Sequence, residues 1–181
     1  METKGDSLSK LDEREILKIL HHTLAGDTRN HKIRRIEHLT ELRRRIKSDS
    51  IQDTNGLITI SLEIAKKHGD KPLESTIIVE ILMLLTRQSE ERFEKILSGL
   101  KGKKREKEEK LFLVFSKLVK KLDYKKKQKA IQPLVRFLTS QDDVGSVGVK
   151  VVSNLLLFLG EEKLGNEIVK EIFPYFSLLA L

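Results

Sequence analysis

Residues 54–87 read TNGLITISLEIAKKHGDKPLESTIIVEILMLLTR, and this stretch decides the fold class. Apolar residues in its first half recur at helical spacing, which predicts a helix capped by Asp53 or Thr54. Pro72 then stands where proline is favoured, in the first turn of a second helix. That second helix, over 73–87, is apolar almost all round, which is typical of a helix buried between neighbours. The stretch therefore predicts a helical hairpin with its second helix in the core.

Amphipathic helices are predicted on both sides of this hairpin. Two of them precede it, and five follow it, the first of these capped by Ser89. We therefore expect an all-α fold of about nine helices, stacked as antiparallel helical hairpins. Residues 1–9 are polar and predict a disordered leader, and residues 10–181 predict a single helical-repeat domain. The flanking predicted helices cover about 10–24, 30–47, 89–100, 111–122, 130–138, 144–159 and 162–173.

The predicted helices recur in pairs along the chain. The first apolar residues of the odd-numbered helices are Ile16, Leu57, Phe93, Ile131 and Leu164, at spacings of 41, 36, 38 and 33 residues. Helical repeat solenoids have periods of ~33–47 residues. A non-repeating bundle of amphipathic helices with short loops produces a similar spacing, so the pattern alone leaves both architectures open.

One unit resembles a HEAT or armadillo repeat. It contains AIQPLVRFL at 130–138, an acidic turn at Asp142-Asp143, and a second apolar segment at 147–160 that ends in glycine. Residues 58–86 are similar, with Gly-Asp-Lys-Pro as the turn. The resemblance implies a HEAT/armadillo-like α-solenoid with a scaffold-like role, and it carries over no functional residues. Related superhelical folds, such as domains that bind polymerase tails or endocytic cargo, are the neighbouring possibilities.

Composition excludes several classes of protein. The 181 residues are 39% hydrophobic and 34% charged, and there is no cysteine, so disulfides, thiol nucleophiles and cysteine-based zinc sites are excluded. Apolar runs stay well short of the ~18 residues of a membrane span, and residues 1–9 lack the apolar core of a secretory signal. We therefore predict no membrane span and an intracellular protein, cytoplasmic or nuclear.

The motifs of catalysis and cofactor binding are missing from the sequence. The five histidines do not form HExxH, and the glycines form neither GxGxxG nor GxxxxGK[ST]. Paired carboxylates such as Glu108-Glu109 and Glu161-Glu162 lie in heavily charged stretches, where little would tune their pKa values for proton transfer. We therefore predict that the chain is not an enzyme and has no catalytic, cofactor-binding or metal-binding residues.

A basic segment at 101–129 is the most distinctive surface feature. It holds 13 Lys and Arg against 4 Asp and Glu, which gives 13 − 4 = +9, while the whole chain carries +8. Its second half suits phosphate backbones, acidic tails or anionic lipid, and its scarcity of arginine and aromatics favours non-specific electrostatics. A nuclear-import signal and a solubilising face are the other interpretations. The candidate anion or nucleic-acid surface consists of Lys117, Lys120, Lys121, Lys125, Lys126, Lys127 and Lys129.

The last nine residues, FPYFSLLAL, form an apolar tail. Such a tail is expected to fold back as a cap or to meet another repeat, another chain or a second protomer, so self-association through it is one possibility. We predict a non-enzymatic scaffold or adaptor that binds a protein partner through its helical-repeat surface. The alternative is a nucleic-acid-associated module that uses 101–129. The candidate protein-interface residues are Phe173, Tyr175, Phe176, Leu178 and Leu179.

Overall fold

The structure, a computed structural model, describes residues 8–99, 109–123, 125–127 and 129–130. These residues are helical with short connections and contain no strand, so the all-α prediction is confirmed. The predicted helices beyond residue 130 lie outside the described ranges. The main helices are α1 (Glu13–Thr23), α2 (Arg29–Lys47), α3 (Thr54–His68), α4 (Pro72–Gln88), α5 (Glu90–Gly99) and α6 (Glu109–Val119).

The helices begin where the sequence places start signals. Thr28 caps α2, because its side chain accepts a hydrogen bond from the backbone of His31. The carboxylate of Asp53 accepts from the backbone N–H of Gly56 at 2.8 Å, so Asp53 rather than its neighbour caps α3. Pro72 is the first residue of α4, as predicted. These local signals explain why the observed helix starts agree with the sequence pattern.

Helix α4 lies at the centre of the packing. It contacts α2, α3, α5 and α6, and its residues Ile78, Ile81, Leu82 and Leu85 are fully buried. Each fully buried aliphatic side chain stabilises the fold by roughly 1.5–3 kcal/mol through the hydrophobic effect. The burial of α4 between neighbours, predicted from its all-round apolar surface, is therefore confirmed.

Helices two apart in the chain pack side by side. The contacting pairs are α1 with α3, α2 with α4, α3 with α5, and α4 with α6. Helices α2 and α4 run in the same direction, because Arg35 lies near Glu74 in their first halves and Ile46 lies near Gln88 at their ends. Helix α3 also contacts α6, three helices later along the chain, so the contacts are not limited to helices two apart.

Helix α2 buries the later part of its apolar stripe, which ends at Ile46, but not the first part. There Ile33 is 41% exposed and Ile36 is half-buried, whereas Arg35 is fully buried. The reason is that Arg35 has polar partners around it, the carboxylate of Glu74 on α4 and two backbone carbonyls at and after the end of α1. The first half of α2 therefore turns a charge inward.

Candidate functional site

Side chains of the hairpin α3–α4 contact backbone carbonyls at the ends of α1 and α2. The carbonyl oxygen of Leu24, just after α1, lies 3.1 Å from Nε2 of His68. The carbonyl of Ile46, in the last turn of α2, accepts a hydrogen bond from Nε2 of Gln88 at 3.3 Å. The last carbonyls of a helix have no partner within it, so such contacts add to their hydrogen bonding; the carbonyl of Ile46 also accepts from the backbone N–H of Asp49 at 3.1 Å.

Lysines further along the chain make similar contacts with the ends of α3 and α4. Nζ of Lys110 donates to the carbonyl of Lys67, in the last turn of α3, at 3.2 Å. Nζ of Lys126 donates to the carbonyl of Thr86, in the last turn of α4, at 3.1 Å. A cation is favourable there because helix C-termini carry partial negative charge. In all four contacts the donor lies 40–44 residues after the acceptor.

A buried ionic cluster joins the first hairpin to the second. Arg35 and Glu74 are both fully buried, and Nε of Arg35 lies 3.4 Å from the Glu74 carboxylate. Nη1 of Arg35 also donates to the carbonyls of Thr23 at 2.5 Å and Gly26 at 2.6 Å. Nδ1 of His68 lies 3.9 Å from the same carboxylate oxygen of Glu74. Because charge is expensive to bury without a counter-charge, the cluster is suited to fixing how these hairpins meet.

The predicted lysine surface is partly engaged in contacts within the chain. Lys117 donates to the hydroxyl of Ser75 at 3.0 Å. Besides its bond to α4, Lys126 lies 3.6 Å from the Glu90 carboxylate, and its side chain is only 15% exposed. Lys129 pairs with Glu94 at 3.0 Å, and this hydrogen bond raises the pKa of Lys129. The carboxylates that reach these lysines come from α5 and, at 3.9 Å from Lys126, from Asp123.

The other four lysines of the predicted surface differ in exposure. Lys121 and Lys125 are exposed, Lys120 is half-buried, and Lys127 is 6% exposed. Glu94 stands 35 residues before Lys129 in the chain, so the sequence of the basic segment alone does not show this pairing. The candidate interface residues Phe173, Tyr175, Phe176, Leu178 and Leu179 lie outside the described residues.

A groove along the outward side of α2 was not predicted. One part, of about 540 Å³, lies between Leu8 and the α2 residues from Ile36 to Lys47. The adjoining part, of about 620 Å³, lies between Leu8 and Ile19 on one side and α2 residues from Asn30 to His38 on the other. Both parts share Leu8 and Glu37, so we treat them as one feature, the α2 groove. Its full lining is Leu8, Leu11, Ile19, Asn30, Ile33, Arg34, Ile36, Glu37, His38, Thr40, Glu41, Arg43, Arg44 and Lys47.

Positive charge dominates the rim of the α2 groove. Its lining holds four Arg and Lys residues against two glutamates. Of these glutamates, Glu41 accepts hydrogen bonds from Arg44 at 2.7 Å and from Arg45 at 2.8 Å, and these bonds, chiefly that of Arg44, lower the pKa of Glu41 to about 2. Arg34 and Lys47 are exposed and have no side-chain partner among the described residues.

The arrangement offers little for metal chemistry in the part of the chain that the structure describes. There, no three or more His, Asp or Glu side chains converge in a way that could hold a metal ion. None of the described helices is both long and apolar enough to cross a membrane. Comparison with known proteins gives no matching family model, no matching curated protein and no matching solved structure.

Proposed function

We propose that the chain is a non-enzymatic scaffold, a HEAT/armadillo-like helical-repeat array that binds a protein partner. The observation that carries this proposal is the recurrence of contacts between helix ends and side chains 40–44 residues later. In a repeat array each unit meets the next in the same way, so equivalent atoms are joined at a constant separation. The separation here falls within the periods of HEAT and armadillo repeats, ~40–47 residues.

The contacts between helices two apart also support a repeat array. They form two rows in the described ranges, one of α1, α3 and α5 and one of α2, α4 and α6, and α3 also contacts α6 across the rows. The nearly constant separation of the four contacts at helix ends agrees with such rows. Stacked hairpins present extended surfaces along each row, and helical-repeat proteins use such surfaces to bind other proteins.

The proposal is tested by capturing partners on the whole chain. Tagged full-length chain is incubated with cell extract, with and without nuclease, and bound proteins are identified by mass spectrometry. We expect a protein recovered equally well in both conditions, then rebound in purified form at a defined ratio. Recovery of no such protein, or recovery that disappears with nuclease, would contradict the scaffold proposal.

A nucleic-acid-binding role is the second candidate. The observation in its favour is that Lys121 and Lys125 are exposed and have no side-chain partner among the described residues. Binding of a labelled single-stranded RNA should then fall steeply with salt and weaken in Lys121→Glu/Lys125→Glu. Equal binding by this variant and the parent chain would remove the alternative. The substitution leaves Lys126 and its bond to α4 in place, so the fold is not perturbed there.

A further inference from the structure

We propose that the α2 groove binds an amphipathic helix of a partner protein, with leucine-like side chains on one face and Asp or Glu beside them. This inference rests on the proposed scaffold function and assigns it a surface and a class of partner. It is independent of the basic segment at 101–129, which lies elsewhere in the chain.

The length of the α2 groove suits a helix. It follows α2 from Asn30 to Lys47, 17 residues apart in sequence, and at 1.5 Å rise per residue this is about 26 Å. About 17 residues of a partner helix, nearly five turns, would cover that distance. Helices that dock into grooves present anchors at positions i, i+3 or i+4, and i+7. The groove therefore accepts three or four such anchors.

The floor of the α2 groove is apolar and incompletely covered. Ile33 is 41% exposed, and Leu73 is the other large apolar residue exposed in the described part of the chain. Ile36 on α2 and Leu8, Leu11 and Ile19 on the opposite wall are partly buried, so their remaining surface faces the groove. Burying this surface under a partner's apolar face would supply the main favourable term of binding.

The rim of the α2 groove selects the charge of the partner. Arg44 and Arg45 neutralise Glu41, and Arg43 pairs with Glu80, which leaves Arg34 near one end and Lys47 near the other against a single glutamate, Glu37, between them. The side chain of Arg44 is 58% exposed despite its bond to Glu41, so it can also reach a partner. An acidic helix is therefore favoured over a basic one. A phosphate backbone would use these cations but would leave the apolar floor exposed.

The test uses a pair of labelled helical peptides and full-length chain. Both peptides have about 18 residues and the same leucine stripe, and the flanking positions hold Glu in one and Lys in the other. Fluorescence anisotropy measures binding, and circular dichroism checks that each chain variant is folded. We expect saturable binding of the acidic peptide, and binding at least about tenfold weaker for the basic one.

Matched variants locate the binding site. Ile33→Ser/Ile36→Ser should weaken binding of the acidic peptide at least about tenfold. Leu73→Ser removes a more exposed apolar residue outside the groove and should leave the affinity for this peptide unchanged. Arg34→Glu/Lys47→Glu should also weaken binding of the acidic peptide, and it should reduce the difference in affinity between the two peptides. Loss of binding in Leu73→Ser to the same extent as in the groove variant would overturn the assignment.

Further outcomes would contradict the groove proposal or assign the groove to another occupant. Equal affinity for both peptides, or no saturable binding of the acidic peptide up to about 1 mM, would overturn the proposal. A dimer in sedimentation that Ile33→Ser/Ile36→Ser converts to monomer would assign the groove to a second copy of this chain instead. If Ile33→Ser/Ile36→Ser still captures the extract protein as well as the parent chain, the groove inference fails while the scaffold proposal stands.

Discussion

The two junctions, that of α3–α4 with α1–α2 before it and that with α5 and α6 after it, differ in the positions and in the chemistry of their contacts. The first junction joins α1–α2 to α3–α4 and contains Arg35 and Glu74, both fully buried. The second junction joins α3–α4 to α5–α6, and lysines such as Lys110 and Lys126 reach helix ends from partly exposed positions there. In both junctions, helix ends are bonded from about 40 residues later. The sequence separation of these contacts is thus similar in the two junctions, whereas their chemistry differs.

This difference predicts that the two junctions contribute unequally to the stability of the fold. Removing one partner of a buried ion pair costs about 3–5 kcal/mol, because the remaining charge has no counter-charge. An exposed pair contributes about 0–1 kcal/mol, because water and salt screen it. The first junction should therefore be the sensitive one, and the second should tolerate loss of any single lysine.

The largest expected effect is that of Glu74→Ala. The substitution leaves the Arg35 guanidinium fully buried without its carboxylate, so the free energy of unfolding should fall by about 3–5 kcal/mol. Urea denaturation followed by circular dichroism measures the change. The double variant Arg35→Met/Glu74→Leu should recover much of the loss, because it buries neither charge. A loss below about 1 kcal/mol for Glu74→Ala would show that the first junction behaves like an exposed one.

The second expected effect concerns the backbone contact of the second junction. At Gly69, which follows α3, a methyl group would overlap the carbonyl oxygen of Lys110 and that of Ala65. Gly69→Ala should therefore separate α3 from the start of α6 and cost about 1–3 kcal/mol by urea denaturation. Gly99→Ala is the matched control, because its methyl group meets only the side chain of Leu62, which can move. Equal effects at both glycines would contradict the close approach at Gly69.

The sequence predicted the helices well because their signals are local. Caps such as Asp53, first-turn residues such as Pro72 and the apolar spacing within each helix act over a few residues. The register between hairpins could not be predicted, because it depends on contacts such as Arg35 with Glu74, 39 residues apart. From the sequence alone, that arginine was indistinguishable from the surface arginines beside it.

The α2 groove escaped prediction for a geometric reason. Helix α1 has 11 residues and α2 has 19, so α1 spans about 17 Å and leaves part of α2 without a neighbour on that side. Ile33 fits the apolar spacing of a buried helix face. Periodicity does not show, however, which part of that face a neighbouring helix covers. The sequence pattern predicted helices over 10–24 and 30–47, of similar length, so it did not indicate this difference.

A smaller effect is expected from Lys126→Ala in the second junction. This lysine bonds the carbonyl of Thr86, lies near Glu90 and stands 5.8 Å from the centre of the Phe93 ring. Its loss should cost about 1 kcal/mol in urea denaturation, and less in about 1 M salt, where charges are screened within about 3 Å. Lys125→Ala, an exposed neighbour, should leave stability unchanged. A salt-independent loss of about 3 kcal/mol, the size expected for a buried ion pair, would contradict the prediction that the second junction contributes less to stability than the first.

The smallest effect lies within the first hairpin and depends on pH. Glu41 is buried beside Arg44 and Arg45, whose bonds lower its pKa from 4.5 to about 2. A lowered pKa means that the carboxylate stabilises the fold above pH 4.5, and that this contribution is lost as the pH falls from 4.5 towards 2. After screening at the exposed Arg44, we expect a contribution of about 1 kcal/mol.

Glu41→Gln tests this dependence because it removes the charge and keeps the shape of the side chain. At neutral pH the variant should be less stable than the parent chain in urea denaturation, and the difference should shrink as the pH falls from 4.5 towards 2. Arg45 also donates to the carbonyl of Leu11 at 2.6 Å, so its contact with the segment before α1 persists in the variant. A difference that stays constant across this pH range would mean that the glutamate acts through packing. The charge of Glu41 would then contribute nothing measurable to the stability of the first hairpin.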